Sequence, residues 1–128
     1  MWHQLKKEAK KKLGKDLALS VDVDGTLLSY DYYEKHRFGK PRVDVVNKVR
    51  EMKDRGVKIV LYTARNNDER QSFLSHLEEF GLDDIFDELI MGKKPTAFVY
   101  LDDRAVNCLD KGWEHKINSM LAKYITDE

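Results

Sequence analysis

The fold is decided by the stretch Leu17-Ala18-Leu19-Ser20-Val21-Asp22-Val23-Asp24-Gly25-Thr26. Its apolar first half predicts a buried strand over residues 17–22. Asp22 and Asp24 stand at the end of that strand and point to the same side if the extended conformation continues, whereas Gly25 favours a turn. Because like charges held this close cost free energy unless a cation or a shared proton compensates them, the pattern predicts a divalent metal ion.

Length and composition indicate one soluble globular domain over residues 1–128. The mass of 15.0 kDa is enough to bury a core. The 23 basic residues balance 23 acidic ones, so the whole molecule has no charge preference for polyanions. The single cysteine, Cys108, excludes an internal disulfide and fits a reducing compartment. Because no apolar stretch approaches the ~20 residues that cross a bilayer and no signal-peptide pattern is present, we expect a cytoplasmic protein without membrane contact.

Strand-type and helix-type patterns alternate along the chain. Apolar runs predict further strands at residues 57–63, 86–91 and 97–101, and apolar periodicity predicts an N-terminal amphipathic helix over 1–14 and a C-terminal helix over 109–124. Two more helices are expected, one starting at Pro41 and ending at Gly56, the other capped by Asp68 and ending at Gly81. This order predicts an α/β fold, a doubly wound, Rossmann-like open parallel sheet with helices on both faces.

Polar groups stand at the carboxyl ends of the predicted strands, where open parallel sheets bind their ligands. Besides the first acidic pair, they are Thr63-Ala64-Arg65-Asn66, Gly92-Lys93-Lys94-Pro95 and Asp102-Asp103-Arg104. This set and its order resemble the haloacid dehalogenase superfamily of aspartyl phosphatases, whose DxDGT signature stands here at residues 22–26. The resemblance extends from residue 17 to about residue 110.

The resemblance implies roles for four side chains. Asp22 would be the nucleophile that forms an aspartyl-phosphate, and Asp24 would act as general acid toward the leaving oxygen and then as general base on water. Thr63 would hydrogen-bond the phosphoryl group together with a neighbouring backbone N–H. Lys94, which directly precedes a proline, would neutralise nucleophile and phosphate, with Lys93 as the alternative.

The resemblance also implies a Mg²⁺ ion, since all the expected ligands are hard oxygens. The side chains of Asp22 and Asp103 and the main-chain carbonyl of Asp24 would hold it. Asp103 and Asn107 reproduce the spacing of the superfamily's acidic fourth motif, G-D-x-x-x-D. Asp102 and Asn107 are therefore expected to support the metal ligands, with Asn107 in place of a carboxylate. The histidines and the cysteine suggest no zinc site.

The gaps between the motifs leave no room for a separate cap domain, so the resemblance implies a capless core. Residues 28–40 are expected to form a short flap over the site. Within it, Tyr32 and Arg37 are candidates for binding substrate, although Tyr32 and Phe38 can instead pack the flap onto the core. An open site also suits a homo-oligomer whose second subunit covers it. Further candidates for binding phosphate or substrate are Gly25, Ala64, Arg65, Lys93 and Arg104.

Three functions fit the motifs. The first is a Mg²⁺-dependent phosphomonoester hydrolase acting through an aspartyl-phosphate on a small phosphorylated metabolite such as a sugar phosphate. The second is a polynucleotide 3′-phosphatase, because residues 101–104 (Leu-Asp-Asp-Arg) are also similar to that class. Balanced charge disfavours nucleic acid as the substrate. The third is a non-catalytic receiver-type signalling module, in which the acidic pair normally precedes the phosphoacceptor.

Overall fold

Helices and strands alternate along the chain in the computed structural model, which describes residues 2–13, 17–29, 38–95, 97 and 99–126. The helices are α1 (Trp2–Leu13), α2 (Val43–Asp54), α3 (Arg70–Glu79) and α4 (Trp113–Thr126). The strands are β1 (Ala18–Asp22), β2 (Lys58–Thr63), β3 (Glu88–Met91) and β4 (Val99–Leu101), and a 3₁₀ turn covers Asn67–Glu69.

The four strands form one open, all-parallel sheet in the order β3-β2-β1-β4. This confirms the predicted α/β fold with a Rossmann-like open sheet. β1 lies between β2 and β4, with Asp22 opposite Tyr62 and Val21 opposite Leu101. The chain runs outward from β1 to β3 and then returns to the other side of β1. The strand order therefore reverses between β1 and β4, and in open parallel sheets the ligand crevice lies at such a point, beyond the carboxyl ends of the strands.

The hydrophobic core gathers side chains from β1, β2, α2, α3 and the turn after β1. Val21, Ile59, Leu61, Val49 and Phe73 are fully buried within it. β2 is apolar over almost its whole length, as is typical of a parallel strand covered on both faces. The packing of both faces fixes the register of β1 against β2, and with it the positions of the residues that follow the two strands.

A tight, buried turn follows β1. Gly25 has a φ of 87°, a conformation that glycine adopts without steric cost, and its N–H donates to the Leu28 carbonyl at 2.7 Å. Leu28 is fully buried and pairs with Pro41, so this residue belongs to the core and not to the flap. The sequence predicted that Pro41 starts the next helix, and this prediction is wrong. Because the Arg42 N–H donates to the carbonyl of Leu27, the segment stays extended and α2 begins at Val43.

Two other helix starts differ from the predictions. Asp68 lies inside the 3₁₀ turn and does not cap α3, which begins at Arg70. α4 begins at Trp113, and Leu109 before it is 89% exposed. Ile117 and Leu121 are exposed as well, so the apolar periodicity of α4 does not place this face in the core. Among the described residues, no helix has the length and apolar character needed to cross a bilayer.

Candidate active site

The sheet register brings the predicted motif residues to one crevice at the carboxyl edge. A cavity of about 450 Å³ opens there between the ends of β1, β2 and β4. It is lined by Asp22, Asp24, Tyr62, Thr63, Ala64, Arg65, Lys94, Asp102, Arg104 and Ala105. Three of these side chains are carboxylates and three are cations, so the cavity combines the two kinds of group that phosphoryl transfer requires.

Asp22 and Asp103 form a close acidic pair around a buried hydroxyl. The Thr26 Oγ1 lies 3.3 Å from Asp22 Oδ2 and 3.4 Å from Asp103 Oδ1, and Thr26 itself is buried. Burial, together with the hydrogen bond to Asp103 and its negative charge, raises the pKa of Asp22 from 3.8 to about 7. The two predicted side-chain ligands of the metal are thus brought together at a position where negative charge is costly without a compensating cation.

The donor set fits the expected Mg²⁺. Asp22 and Asp103 offer carboxylate oxygens, which are the ligands that Mg²⁺ prefers, and the ion usually keeps several waters. Among the described residues, no cluster of three or more His, Cys, Asp or Glu side chains is arranged to hold a metal. The expected set needs only two such side chains, because the third ligand is the main-chain carbonyl of Asp24. That ligand set stays a prediction.

The Asp24 side chain is held by a cation, Arg65. Its carboxylate accepts hydrogen bonds from Arg65 Nε at 2.8 Å and Arg65 Nη2 at 3.0 Å. The Thr63 hydroxyl lies 3.3 Å from Asp24 Oδ2, and Thr63 is buried at the end of β2. The structure therefore joins the ends of the first and second motifs through side-chain contacts. Arg65 contacts Asp24 and also lines the cavity, and its binding of phosphate or substrate stays a prediction.

Asp102 lies close to Lys94, the lysine to which the resemblance gives a catalytic role. Lys94 Nζ lies 3.8 Å from Asp102 Oδ2 and 4.2 Å from the centre of the Tyr100 ring. Asp102 Oδ1 accepts from the N–H groups of Arg104 and Ala105. The carboxylate of Asp102 is thereby fixed between the lysine and the turn after β4, and its support of the metal ligands stays a prediction.

Tyr62 is a component of the site that the motifs did not identify. Its hydroxyl lies 3.4 Å from Asp102 Oδ2. Burial, followed by the negative charges of Asp102 and Asp22, raises the pKa of Tyr62 above its ordinary value, so the phenol stays protonated. Its position directly before Thr63, in a strand of otherwise apolar residues, was the signal available in the sequence.

The other predicted site residues fall in several places. Ala64 and Arg104 line the cavity, and Gly25 forms the turn after β1. Lys93 is exposed. Asn107 is also exposed, and its carboxamide oxygen accepts from the N–H of Leu109 at 2.9 Å, so this side chain caps a local turn. Tyr32 and Arg37 lie outside the described residues, and their roles stay predictions.

Comparison with known proteins shows the fold and no more. No family model matches the chain, and no curated protein matches it. The chain is similar to the solved structure of a conserved protein from Bacteroides thetaiotaomicron, with a TM-score of 0.57 and 19% identity over 85% of this chain and 93% of the other. A crystal structure of a Vibrio cholerae protein is 27% identical over 84% of this chain and 99% of the other, with a TM-score of 0.43.

Proposed function

We propose that this protein is a Mg²⁺-dependent phosphomonoester hydrolase of the haloacid dehalogenase type, with Asp22 as the nucleophile. The proposal depends on one observation: two carboxylates that line the same cavity have different partners. Asp22 lies against Asp103, whereas Asp24 lies against Arg65 and Thr63. One carboxylate is therefore available for the metal and the phosphorus, while the other is held apart for proton transfer.

The proposed reaction has two steps. An Asp22 oxygen attacks the phosphorus, the bond from phosphorus to the leaving oxygen breaks, and Asp24 gives its proton to that oxygen. Water then attacks the phosphorus of the aspartyl-phosphate and returns a proton to Asp24. This step releases inorganic phosphate and restores the Asp22 carboxylate. Lys94 and the Thr63 hydroxyl would bind the phosphoryl oxygens as charge moves onto them.

Mg²⁺, when held by Asp22, Asp103 and the carbonyl of Asp24, supplies positive charge against the phosphate and the acidic pair. The spacing of the motifs leaves no room for a separate cap domain. Small phosphorylated metabolites such as sugar phosphates are the proposed substrates, and the balanced charge of the chain gives no reason to prefer a polynucleotide.

The experiment measures phosphate release from p-nitrophenyl phosphate with and without Mg²⁺. We expect Asp22→Asn to lower kcat by a factor of about 10³ or more, since it removes the nucleophile. Asp84→Asn, a change at an exposed position, is the matched control and should leave kcat unchanged. Full turnover by Asp22→Asn would reject the nucleophile.

A substrate panel separates the alternatives. Sugar phosphates and 3′-phosphorylated oligonucleotides are compared by kcat/KM at two salt concentrations. A salt-sensitive preference for oligonucleotides would favour a polynucleotide 3′-phosphatase. Accumulation of a stable acyl phosphate without phosphate release would favour a receiver-type signalling module.

A further inference from the structure

The carboxylate of Asp24 is held by a fork of two hydrogen bonds from one guanidinium. Arg65 Nε and Nη2 each bind a different oxygen of Asp24, at 2.8 Å and 3.0 Å. Both side chains are 19% exposed. A planar two-point contact fixes the direction of a carboxylate as well as its distance, which a lysine ammonium does not do.

Arg65 is itself anchored on two further sides. Its Nη1 donates to Glu69 Oε1 at 2.9 Å, at the start of α3. Its guanidinium carbon lies 4.4 Å from the centre of the Phe38 ring. The backbone N–H of Arg65 donates to the Thr63 hydroxyl at 3.2 Å. The guanidinium therefore serves as a connection between β2, α3 and residue 38, and its groups are directed at protein atoms.

Phe38 lies at the base of the segment that follows the first motif. This base consists of Ser29 and residues 38–40. The Phe38 ring lies 5.3 Å from that of Phe73 and 5.4 Å from that of His76, both in α3. The neighbouring carbonyl of Gly39 accepts from His76 Nε2 at 2.8 Å. On the other side, the Ser29 N–H donates to the carbonyl of Lys40 at 2.8 Å. Ser29 and Lys40 are thus paired, and Phe38 and Gly39 lie next to α3.

We propose that Arg65 is a positioning residue that aims the Asp24 carboxylate for proton transfer and connects it, through Phe38, to the base of the segment after the first motif. The inference rests on the proposed function, because it assigns Arg65 a role in the same reaction. It is an alternative to the expectation that Arg65 binds phosphate or substrate. A carboxylate that is misplaced by about 1 Å can lose about 100-fold in rate without any change in substrate contacts.

The experiment separates positioning from substrate binding with Arg65→Gln. We expect kcat to fall about 100-fold, while KM and the inhibition constant of inorganic phosphate change by less than about twofold. Arg65→Lys should not restore kcat, because an ammonium cannot form the fork. Arg50→Gln, an exposed arginine bonded to the Gly81 carbonyl, is the matched control and should behave as wild type.

A double-variant cycle tests whether Arg65 acts through Asp24. In the Asp24→Asn background, Arg65→Gln should lower the residual kcat by less than about twofold, since groups that act as a unit are not additive. Phe38→Leu and Glu69→Gln, which leave Arg65 in place, should each lower kcat by about threefold to tenfold with KM unchanged. These two variants keep the test decisive if Arg65→Gln does not fold.

Each remaining outcome overturns a stated part of the account. A raised KM and a weaker inhibition by inorganic phosphate in Arg65→Gln would overturn the inference and leave the proposed function in place. Full activity of Arg65→Lys, or an additive loss in the double variant, would do the same. A wild-type protein that hydrolyses no phosphomonoester would overturn the proposed function and the inference together.

Discussion

Two neighbouring carboxylates at the end of β1 have different environments. Asp22 shares a buried hydroxyl with Asp103, and its charge is opposed by burial and by a second carboxylate. Asp24, two residues later, has its charge matched by Arg65. Ionised Asp22 is therefore destabilised by its surroundings, whereas ionised Asp24 is paired with a cation. A cation bound at Asp22 and Asp103 would offset the charge of Asp22, which the proposed attack on phosphorus requires.

The acidic pair predicts a pH-dependent stability for the metal-free protein. The pKa of Asp22 is raised from 3.8 to about 7, so the folded state holds this proton more tightly than the unfolded chain. The stabilisation is complete below about pH 4 and is lost as the pH rises to about 7. Asp22→Asn should therefore raise the midpoint of thermal unfolding by about 3 °C at pH 8 and by less than about 1 °C at pH 4.

That measurement is made in the presence of a chelator, by circular dichroism, with Asp84→Asn as the exposed control. An equal effect of Asp22→Asn at both pH values would show that the Asp22 charge is not opposed in the folded state.

The two adjacent lysines before β4 differ in position, and this predicts different effects of their removal. Both side chains are exposed, but Lys94 lines the cavity and approaches Asp102, whereas Lys93 is not among the residues that line the cavity. Lys94→Met should lower kcat by about 100-fold, the typical effect of removing one donor to a developing charge. Lys93→Met should lower it less than about threefold. If Lys93→Met lowered kcat more than Lys94→Met does, Lys93 and not Lys94 would be the catalytic lysine.

At the scale of the elements, the base of the segment after the first motif is held by close backbone contact. A Cβ atom added at Gly39 would overlap the backbone carbonyl of Ser29. Gly39→Ala should therefore destabilise the protein by about 1–3 kcal/mol in urea unfolding. It should also lower kcat, because it would displace Phe38, the residue directly before it. Ser29→Ala removes only a hydroxyl that accepts from the Lys40 N–H and is the control. Wild-type stability of Gly39→Ala would show that the two backbones do not approach this closely.

The helices and strands were largely predictable, and the errors lie at helix starts. Apolar runs predicted the strands, because a parallel strand buried on both faces has few polar residues. Pro41 and Asp68 are good local signals for helix starts, but both helices begin later in the chain. The hydrogen bond from Arg42 to Leu27 holds the first segment extended. The residues around Asp68 form a 3₁₀ turn before α3.

At the scale of the whole molecule, the sheet register brings motifs that are far apart in the sequence together at one site. Residues 22–24, 62–65 and 102–105 meet because β2 and β4 both pair with β1 in parallel. This convergence was predictable from strand order alone. The fork between Arg65 and Asp24, and the approach of Tyr62 to Asp102, were not, because the sequence does not specify the direction of a side chain in a turn.

The acidic pair also predicts a pH-dependent response to Mg²⁺. The ion binds ionised carboxylates, so protons compete with it below the raised pKa of Asp22. Millimolar Mg²⁺ should raise the midpoint of thermal unfolding by about 3 °C or more at pH 8 and clearly less at pH 5.5. Asp103→Asn should abolish the shift. A shift that is equal in wild type and Asp103→Asn would place the ion elsewhere.

The most direct test of the central claim is chemical identification of the phosphorylated residue. In Asp24→Asn mixed with p-nitrophenyl phosphate and Mg²⁺, the leaving group needs no proton, so the first step proceeds while hydrolysis of the intermediate slows. Acid quenching and peptide mass spectrometry should then find one hydroxylamine-sensitive phosphoryl group on Asp22. A phosphoryl group on any other residue, or undiminished phosphate release by Asp22→Asn, would contradict the account.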